Sequence, residues 1–148
     1  MKDSQMKQIE LEKITMNIGC GASGDKLEKA MKLLNKITSA KPVSRKTKKR
    51  IPTWGVRPGL EIGASVVLRG KKAEDTLGRL LNAVKNSIKS SSFDQYGNFS
   101  FGITEYLSIP NIEYDSAIGI IGLEVAVTLK RPGFRIKHRN IQKRKIPT

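Results

Sequence analysis

Three glycines near the N-terminus have the spacing of a dinucleotide-binding loop. Gly19, Gly21 and Gly24 form the pattern G-x-G-x-x-G between an apolar stretch and a helix-like stretch that begins at Asp25. Such a site also needs a second parallel strand after the helix, with an acid near its end for the ribose hydroxyl. Here the helix leads into a basic, proline-containing segment, and no Asp or Glu occurs between Glu28 and Glu61. We therefore predict a tight chain reversal and no nucleotide cofactor.

Residues that could catalyse a reaction or bind a metal are few. The single cysteine, Cys20, and the single histidine, His138, make an improbable nucleophilic pair, because the histidine lies in a basic tail. They are also too few for a zinc site. The closest carboxylates, Glu113 and Asp115, supply too few oxygen ligands for a hard cation. We expect a protein that is not an enzyme and that binds no metal and no cofactor.

The net charge of +15 is unevenly placed. The basic excursion, which we define as residues 41–59, carries seven Lys and Arg and no acid. The basic tail, residues 130–148, carries eight Lys and Arg and no acid, and the rest of the chain holds 13 residues of each sign. This segregation favours binding of a polyanion, most often a phosphate backbone. A membrane surface is the weaker alternative, because neither segment has the periodic apolar face of an interfacial helix.

The apolar spacing predicts an α+β fold in a single domain over residues 1–148. Residues 9–18 alternate as a strand, with Ile14, Met16 and Ile18 on one face and Thr15 and Asn17 on the other. Further strands are predicted over 60–70, through Phe99, Phe101 and Ile103, and over 123–130, where Glu124, Ala126 and Thr128 point outward. The clean alternation favours a mostly antiparallel sheet of about four or five strands.

Two main helices are predicted on one face of this sheet. The first begins at Asp25, where Asp25 and Glu28 have the spacing of a capping box, and ends before Pro42. The second is predicted over about 72–89. The basic excursion has three prolines and two glycines and is expected to form a long loop or hairpin whose tip has no core of its own. The N-terminus shows no secretory signal and no stretch is apolar enough to span a bilayer, so we expect a cytoplasmic protein.

The candidate nucleic-acid contacts lie on the strand and in both basic segments. Thr15 and Asn17 project from a polar sheet face, which suits RNA because its minor groove is recognised by shape and 2′-hydroxyls. Trp54 either stacks on a base from an exposed tip or anchors the excursion to the core, and the sequence leaves both open. The cations expected to bind RNA are Arg45, Lys46, Lys48, Lys49, Arg50, Arg131, Arg135, Lys137 and Arg139.

Five ordered motifs resemble those of a known family. They are "ITMNIGCG", "KPVSRKTKKRIPTWGVRPGLEIGASVVLRG", "FDQYGNFSFGITE", "IPNIEYD" and "GLEVAVTLKRPGFR". In this order, over about residues 7–148, they resemble the universal large-subunit ribosomal protein L-five family, which binds 5S ribosomal RNA. The string from Phe93 to Glu105 and the RPG at 131–133 are most similar to the archaeal and eukaryotic branch.

The resemblance implies a structural, non-enzymatic protein of the cytoplasmic ribosome. Its partners would be 5S rRNA and large-subunit rRNA in the central protuberance, the elbow of the P-site tRNA, and a small-subunit head protein at the inter-subunit bridge. It would assign Asn17 to 5S rRNA, and Arg45, Lys46 and Thr47 to the RNA backbone. The turn of Trp54, Gly55, Val56 and Arg57 would reach toward tRNA.

The chain departs from the family pattern at three positions. Relatives often have Gln, Phe and Thr where this chain has Ala40, Trp54 and Val67, so two polar groups that help to hold 5S rRNA are missing. Relatives also usually carry a further helical stretch at the C-terminus. The alternative to a ribosomal constituent is a free-standing RNA chaperone or ribosome assembly factor that uses the same surface.

Overall fold

A computed structural model describes residues 5–21 and 23–145. It contains five strands, β1 (Glu10–Gly19), β2 (Val43–Lys46), β3 (Glu61–Leu68), β4 (Phe99–Ile103) and β5 (Leu123–Lys130). The α-helices are α1 (Asp25–Thr38), α2 (Lys71–Ala83) and the short α3 (Arg135–His138). Single 3₁₀ turns lie at Gln5–Lys7, Pro52–Trp54, Ser90–Ser92 and Tyr106–Ser108.

The strands form one sheet in the order β2-β3-β1-β5-β4, and every pairing is antiparallel. The predicted α+β fold with a mostly antiparallel sheet is therefore confirmed. The long strand β1 lies at the centre of the sheet and pairs with β3 on one side and with β5 on the other. It places Asn17 opposite Ser65 on β3 and opposite Glu124 on β5.

The core lies between one face of the sheet and the helices α1 and α2. Ile14, Met16 and Ile18 of β1 are at most 3% exposed and pack in one cluster with Leu34 of α1 and Leu80 of α2. The alternation predicted for β1 is confirmed, because Thr15 and Asn17 are only half-buried on the other face. Burial of each large apolar side chain contributes about 1.5–3 kcal/mol, so this face of β1 is strongly held against the helices.

Helix α2 is shorter than its apolar spacing predicts. It ends at Ala83, and Lys85 and Asn86 adopt left-handed backbone conformations with φ of 56° and 52°. The Asn86 amide donates to the Leu81 carbonyl at 2.9 Å, which turns the chain out of the helix. The prediction that the helix continues to about residue 89 is wrong, because this left-handed turn ends it although Ile88 keeps the helical spacing.

The start of α1 is predicted correctly, but the capping box is not formed. The N-cap is Gly24, with φ of 103°, and no side chain caps the helix. A positive φ of this size favours glycine, which has no side chain to offer the first amides. Asp25 is the first helical residue instead, where its carboxylate interacts favourably with the helix dipole.

The glycine-rich loop reverses the chain against β3, as predicted. The amides of Cys20 and Gly21 both donate to the Ile62 carbonyl, at 2.8 and 3.2 Å, and Gly21 has a φ of 68°. The strand that follows α1, β2, runs in the same direction as β1, because both are antiparallel to β3, which lies between them. Within residues 5–21 and 23–145, the loop therefore lacks the pair of adjacent parallel strands, joined by a helix, that a dinucleotide fold requires.

Candidate nucleic-acid interface

The sheet face opposite the helices presents small and polar side chains, and we call it the open face. Residues paired across antiparallel strands share a face, so Thr15 and Asn17 share this face with residues of all four other strands and lie directly beside those of β3 and β5. Val43 and Val67 on this face are 57% and 44% exposed, which shows that the open face is accessible. Its members are Val43, Arg45, Gly63, Ser65, Val67, Lys13, Thr15, Asn17, Glu124, Ala126, Thr128, Ser100 and Gly102.

Two hydrogen bonds fix polar groups on the open face. Arg45 Nε donates to the hydroxyl of the buried Ser65 at 2.6 Å, across the β2–β3 pairing. This bond orients the guanidinium and leaves its two terminal amino groups as donors for a ligand. Asn17 Nδ2 donates to Glu124 Oε2 at 3.4 Å, from β1 to β5.

Glu124 is a residue that the sequence reasoning did not assign to the site. Its carboxylate repels phosphate, but it accepts hydrogen bonds from 2′-hydroxyls and from the amino groups of bases. The alternation over 123–130 correctly places Glu124 on the outer face. What the pattern does not contain is the strand order that brings β5 beside β1 and sets Glu124 next to Asn17.

The basic excursion forms a hairpin that is closed by backbone hydrogen bonds. Thr47 N donates to Leu60 O and Gly59 N donates to Thr47 O, both at 2.9 Å, and Ile51 and Val56 exchange two bonds nearer the tip. The Thr47 hydroxyl donates to the Arg57 carbonyl, so this side chain braces the hairpin. The predicted hairpin is confirmed.

The tip of this hairpin is a 3₁₀ turn over Pro52–Trp54, followed by Gly55 with φ of 65°. Trp54 is 73% exposed, which decides between its two interpretations in favour of an exposed aromatic plane. Val56 is only 2% exposed, but it does not belong to the main core cluster, so the tip encloses a single side chain without forming a core of its own. Because the Val56 side chain is enclosed, the surface at the tip belongs to its neighbours Trp54, Gly55 and Arg57.

The cations of the excursion are exposed and mostly unneutralised. Lys48, Lys49 and Arg50 form a continuous exposed run between β2 and the tip. Among the residues that the structure describes, Lys46 is the one cation of the excursion that forms an ion pair, with Glu61 at 3.6 Å. Surface pairs of this kind contribute at most about 1 kcal/mol and are easily exchanged for a phosphate.

The basic tail leaves the sheet after β5. Arg131, Arg135 and Lys137 are exposed, and Lys137 Nζ lies 5.2 Å from the centroid of the Tyr96 ring. Arg139 is partly buried and donates from Nε and Nη2 to the Gln142 carbonyl at 3.0 and 2.8 Å, so it also shapes the tail. Residues 146–148 of the predicted tail, and residues 1–4 and 22 of the predicted domain, lie outside the described residues.

The two basic segments lie at opposite ends of the sheet. At one end, Gly19 and Arg45 both pair with Gly63, and the excursion continues from there. At the other end Glu10 pairs with Lys130, with their charged groups 3.3 Å apart, and the tail follows. At about 3.4 Å per residue the nine steps of β1 separate the ends by about 30 Å. The open face joins the two segments.

A tight turn before β4 positions Tyr96, which the sequence reasoning also did not assign. Asp94 Oδ1 accepts from the amides of Tyr96 and Asn98 at 2.9 and 2.8 Å, and Asp94 Oδ2 accepts from Asn98 Nδ2 at 2.8 Å. The Asn98 side-chain bond is the main cause that lowers the pKa of Asp94. Asn98 Oδ1 accepts from the Leu129 amide at 2.9 Å, which ties the turn to β5.

The remaining reactive residues form no site within the described part of the chain. Partial burial raises the pKa of the Cys20 thiol, against a smaller opposing effect of Lys26, so the thiol is not activated as a nucleophile. No cluster of three or more His, Cys, Asp and Glu suited to a metal ion occurs among residues 5–21 and 23–145. None of the helices described here is both long and apolar enough to cross a bilayer.

Comparison with known proteins finds one family over nearly the whole chain. Residues 4–57 match the family model described as Ribosomal protein L5, and residues 61–147 match the model for the C-terminus of the same ribosomal family. The proteins named Large ribosomal subunit protein uL5 from three archaea are similar to this chain. That of Sulfurisphaera tokodaii is 52% identical, covering 96% of this chain and 80% of its own. That of Nanoarchaeum equitans is 51% identical, covering 95% and 83%, and that of Aeropyrum pernix is 47% identical, covering 97% and 74%.

Proposed function

The chain belongs to the ribosomal protein L5 family, and on that premise we propose that it binds 5S rRNA and large-subunit rRNA in the central protuberance. Members of this family are structural constituents of the ribosome, so the chain is a non-enzymatic protein of the cytoplasmic ribosome. We further propose that it contacts the P-site tRNA and a small-subunit head protein at the inter-subunit bridge, and so supports translation.

The observation that carries this proposal is the arrangement of charge around the open face. Two acid-free basic segments flank a polar sheet face about 30 Å long, and the helices cover only the other face. Cations at both ends neutralise phosphates, while the small side chains between them allow a ribose edge to approach closely. Such a surface suits RNA, because its helices present 2′-hydroxyls in a shallow minor groove.

The individual roles follow from the contacts. Arg45, oriented by Ser65, and Lys46 bind the RNA backbone at the base of the hairpin, and Lys48, Lys49 and Arg50 extend this contact along it. Thr15 and Asn17 bind 5S rRNA from the open face through hydrogen bonds to riboses. Thr47 contributes to RNA binding indirectly, because its hydroxyl stabilises the hairpin on which these cations lie. In the tail, the cations that bind RNA are Arg131, Arg135, Lys137 and Arg139.

The tip of the hairpin is the proposed tRNA contact. Trp54 offers an exposed plane on which a base or ribose stacks, and Arg57 adds a cation for a phosphate. Gly55, in a left-handed conformation without a side chain, allows close approach of the backbone. The buried Val56 side chain stabilises the conformation of the tip.

Salt dependence provides the first test of the RNA-binding function. About seven phosphate contacts release enough counterions to give a slope of order −5 to −6 in a plot of log K against log salt concentration. The measurement is filter binding of purified chain to 5S rRNA between about 50 and 200 mM salt. A slope near zero would contradict the proposal.

Charge reversal provides the second test and includes a matched control. Substitution of Lys48→Glu, Lys49→Glu and Arg50→Glu together is expected to lower 5S rRNA affinity by at least about tenfold at about 100 mM salt, because three phosphate contacts become repulsions. The control is Lys26→Glu, Lys29→Glu and Lys32→Glu on α1, which changes the net charge equally on the helix layer. Equal losses in both variants would show a diffuse charge effect and overturn the assignment to the excursion.

Stable incorporation separates a ribosomal constituent from an assembly factor. We expect the chain to remain on large subunits at one copy per particle after a high-salt wash, because contacts about 30 Å apart must all release at once. The measurement is quantitative mass spectrometry of the washed subunits. Complete loss in the wash, with chain present only on immature particles, would favour the assembly factor.

A further inference from the structure

A pocket at the tail end of the sheet has no role in the function proposed above. It has a volume of about 540 Å³, and we call it the tail pocket. One wall is formed by β1 and β5, through Lys13, Thr128 and Leu129. The other walls are the turn that carries Tyr96 and the folded-back segment of the tail after α3.

The lining of the tail pocket combines aromatic rings with positive charge. Tyr96, Phe134 and His138 supply flat surfaces, and Glu12 is the one acid that lines it in the described chain. The cations are Lys13, Lys137, Lys143, Arg144 and Lys145. An aromatic group that carries a phosphate uses both features, because the ring stacks on the aromatic side chains and the phosphate meets the cations.

Both walls of the tail pocket are held in place. Tyr96 sits on the turn organised by Asp94, and Asn98 anchors that turn to the Leu129 amide. On the opposite side the Arg144 amide donates to the Ile136 carbonyl at 3.3 Å, which folds the end of the tail back toward α3. The pocket is therefore built from a sheet end and a braced turn, with the tail closing it.

We propose that the tail pocket binds a single unstacked nucleotide of an RNA strand. Tyr96 is 50% exposed and carries Lys137 over its ring, so it provides an aromatic surface together with a cation. The volume lies within the range of about 300–1,000 Å³ typical of small-molecule sites. This inference rests on the proposed RNA-binding function, because the tail must already lie along an RNA strand for one nucleotide to enter.

The experiment titrates the full chain with adenosine 5′-monophosphate and, separately, with inorganic phosphate, followed by two-dimensional NMR. We expect saturable shifts of the Tyr96, Thr128 and Leu129 amides with the nucleotide, and phosphate binding at least about fivefold weaker because it cannot stack. Equal affinity for both ligands would show a simple anion site and overturn the inference. Absence of saturable shifts at these amides would overturn it as well.

Variants assign the stacking surface. Tyr96→Leu is expected to weaken nucleotide binding at least about fivefold and to leave phosphate binding unchanged. Tyr114→Leu is the matched control, because Tyr114 is 60% exposed and does not line the tail pocket. Unchanged nucleotide affinity in Tyr96→Leu would contradict the proposal. If Tyr96→Leu fails to fold, the proposal is still tested by comparing the affinities of the unmodified chain for the nucleotide and for phosphate.

The outcome is separable from that of the proposed function. Loss of 5S rRNA affinity on reversal of Lys48, Lys49 and Arg50, together with no nucleotide binding at the tail pocket, would leave the RNA-binding function standing and remove this inference alone. Unaffected 5S rRNA affinity in that variant would instead count against the function on which the inference rests.

Discussion

The orientation of Trp54, inward or outward, is determined by tertiary structure. Its neighbours Pro52 and Gly55 predict a turn, but a turn places its aromatic residue either inward or outward. The Ile51–Val56 bonds close the tip, Val56 takes the single inward position, and Trp54 is left 73% exposed. The pattern of residues therefore predicts the turn, and only the packing of Val56 identifies which side chain is available to a partner.

Replacement of Trp54 separates recognition from stability. Trp54→Ala is expected to leave the melting temperature unchanged and to weaken binding at the tip by about 1–3 kcal/mol, because it removes a stacking plane and no core contact. Trp54→Phe keeps a plane and should retain most of the affinity. The measurement is the fluorescence anisotropy of end-labelled tRNA, because both substitutions remove the one tryptophan of the chain. A large loss of stability in Trp54→Ala would contradict the exposed position.

A substitution at Val67 provides a second single-residue test, here of whether RNA contacts the open face. It is 44% exposed and pairs with Thr15 across β3 and β1. Val67→Thr adds a hydroxyl beside the Thr15 hydroxyl and keeps a β-branched side chain, so the strand is preserved. We expect 5S rRNA binding to tighten by about 0.5–1.5 kcal/mol, the contribution of one hydrogen bond, in the filter-binding assay. Unchanged affinity would show that RNA does not approach this part of the open face. Ala40 is a poorer site for this test, because it packs against the core.

At the scale of elements, the pairing of β4 with β5 depends on a close approach at Gly122. A Cβ atom at Gly122 would lie 2.8 Å from the Thr104 carbonyl oxygen and 3.0 Å from that of Ile103. Both oxygens belong to the backbone and cannot move without disturbing the end of β4. The absence of a side chain at Gly122 therefore allows the end of β4 to lie close to the chain where β5 begins.

Gly122→Ala is expected to destabilise the fold by about 1–3 kcal/mol through this clash. Gly102→Ala is the matched control, because Gly102 lies in β4 with nothing within 4 Å of its Cβ position. Alanine is favoured over glycine within a strand, so the control should be neutral or slightly stabilising. The measurement is urea unfolding of both variants. Equal stability of the two variants would show that the clash is relieved without cost.

The helices and strands also show which features apolar periodicity can predict and which it cannot. The alternation in β1 and β5 predicts both strands and their faces, because burial on one face directly produces a period of two. The end of α2 is not predicted, since Ile88 keeps the apolar spacing while the left-handed Lys85 and Asn86 turn the chain away. The capping box at Asp25 fails for a related reason, because the backbone conformation of Gly24 decides the cap.

At the scale of the whole molecule, the site depends on the order of the strands. Charge segregation along the chain predicts two phosphate-binding segments, since it can be counted in the sequence. Their separation at opposite ends of the sheet depends on the pairings of Gly19 with Gly63 and of Glu10 with Lys130. These long-range pairings also bring Glu124 to Asn17 and the tail to Tyr96, and no local pattern contains them.

The most direct test of the central claim is protein–RNA crosslinking in intact ribosomes, read by mass spectrometry of the crosslinked peptides. We expect RNA crosslinks in residues 45–57, in the tail over 130–145 and on the open face near Asn17, with few on the outer surfaces of α1 and α2. Crosslinks concentrated on α1 and α2, with both basic segments unmodified, would contradict the claim that these segments and the open face hold the RNA.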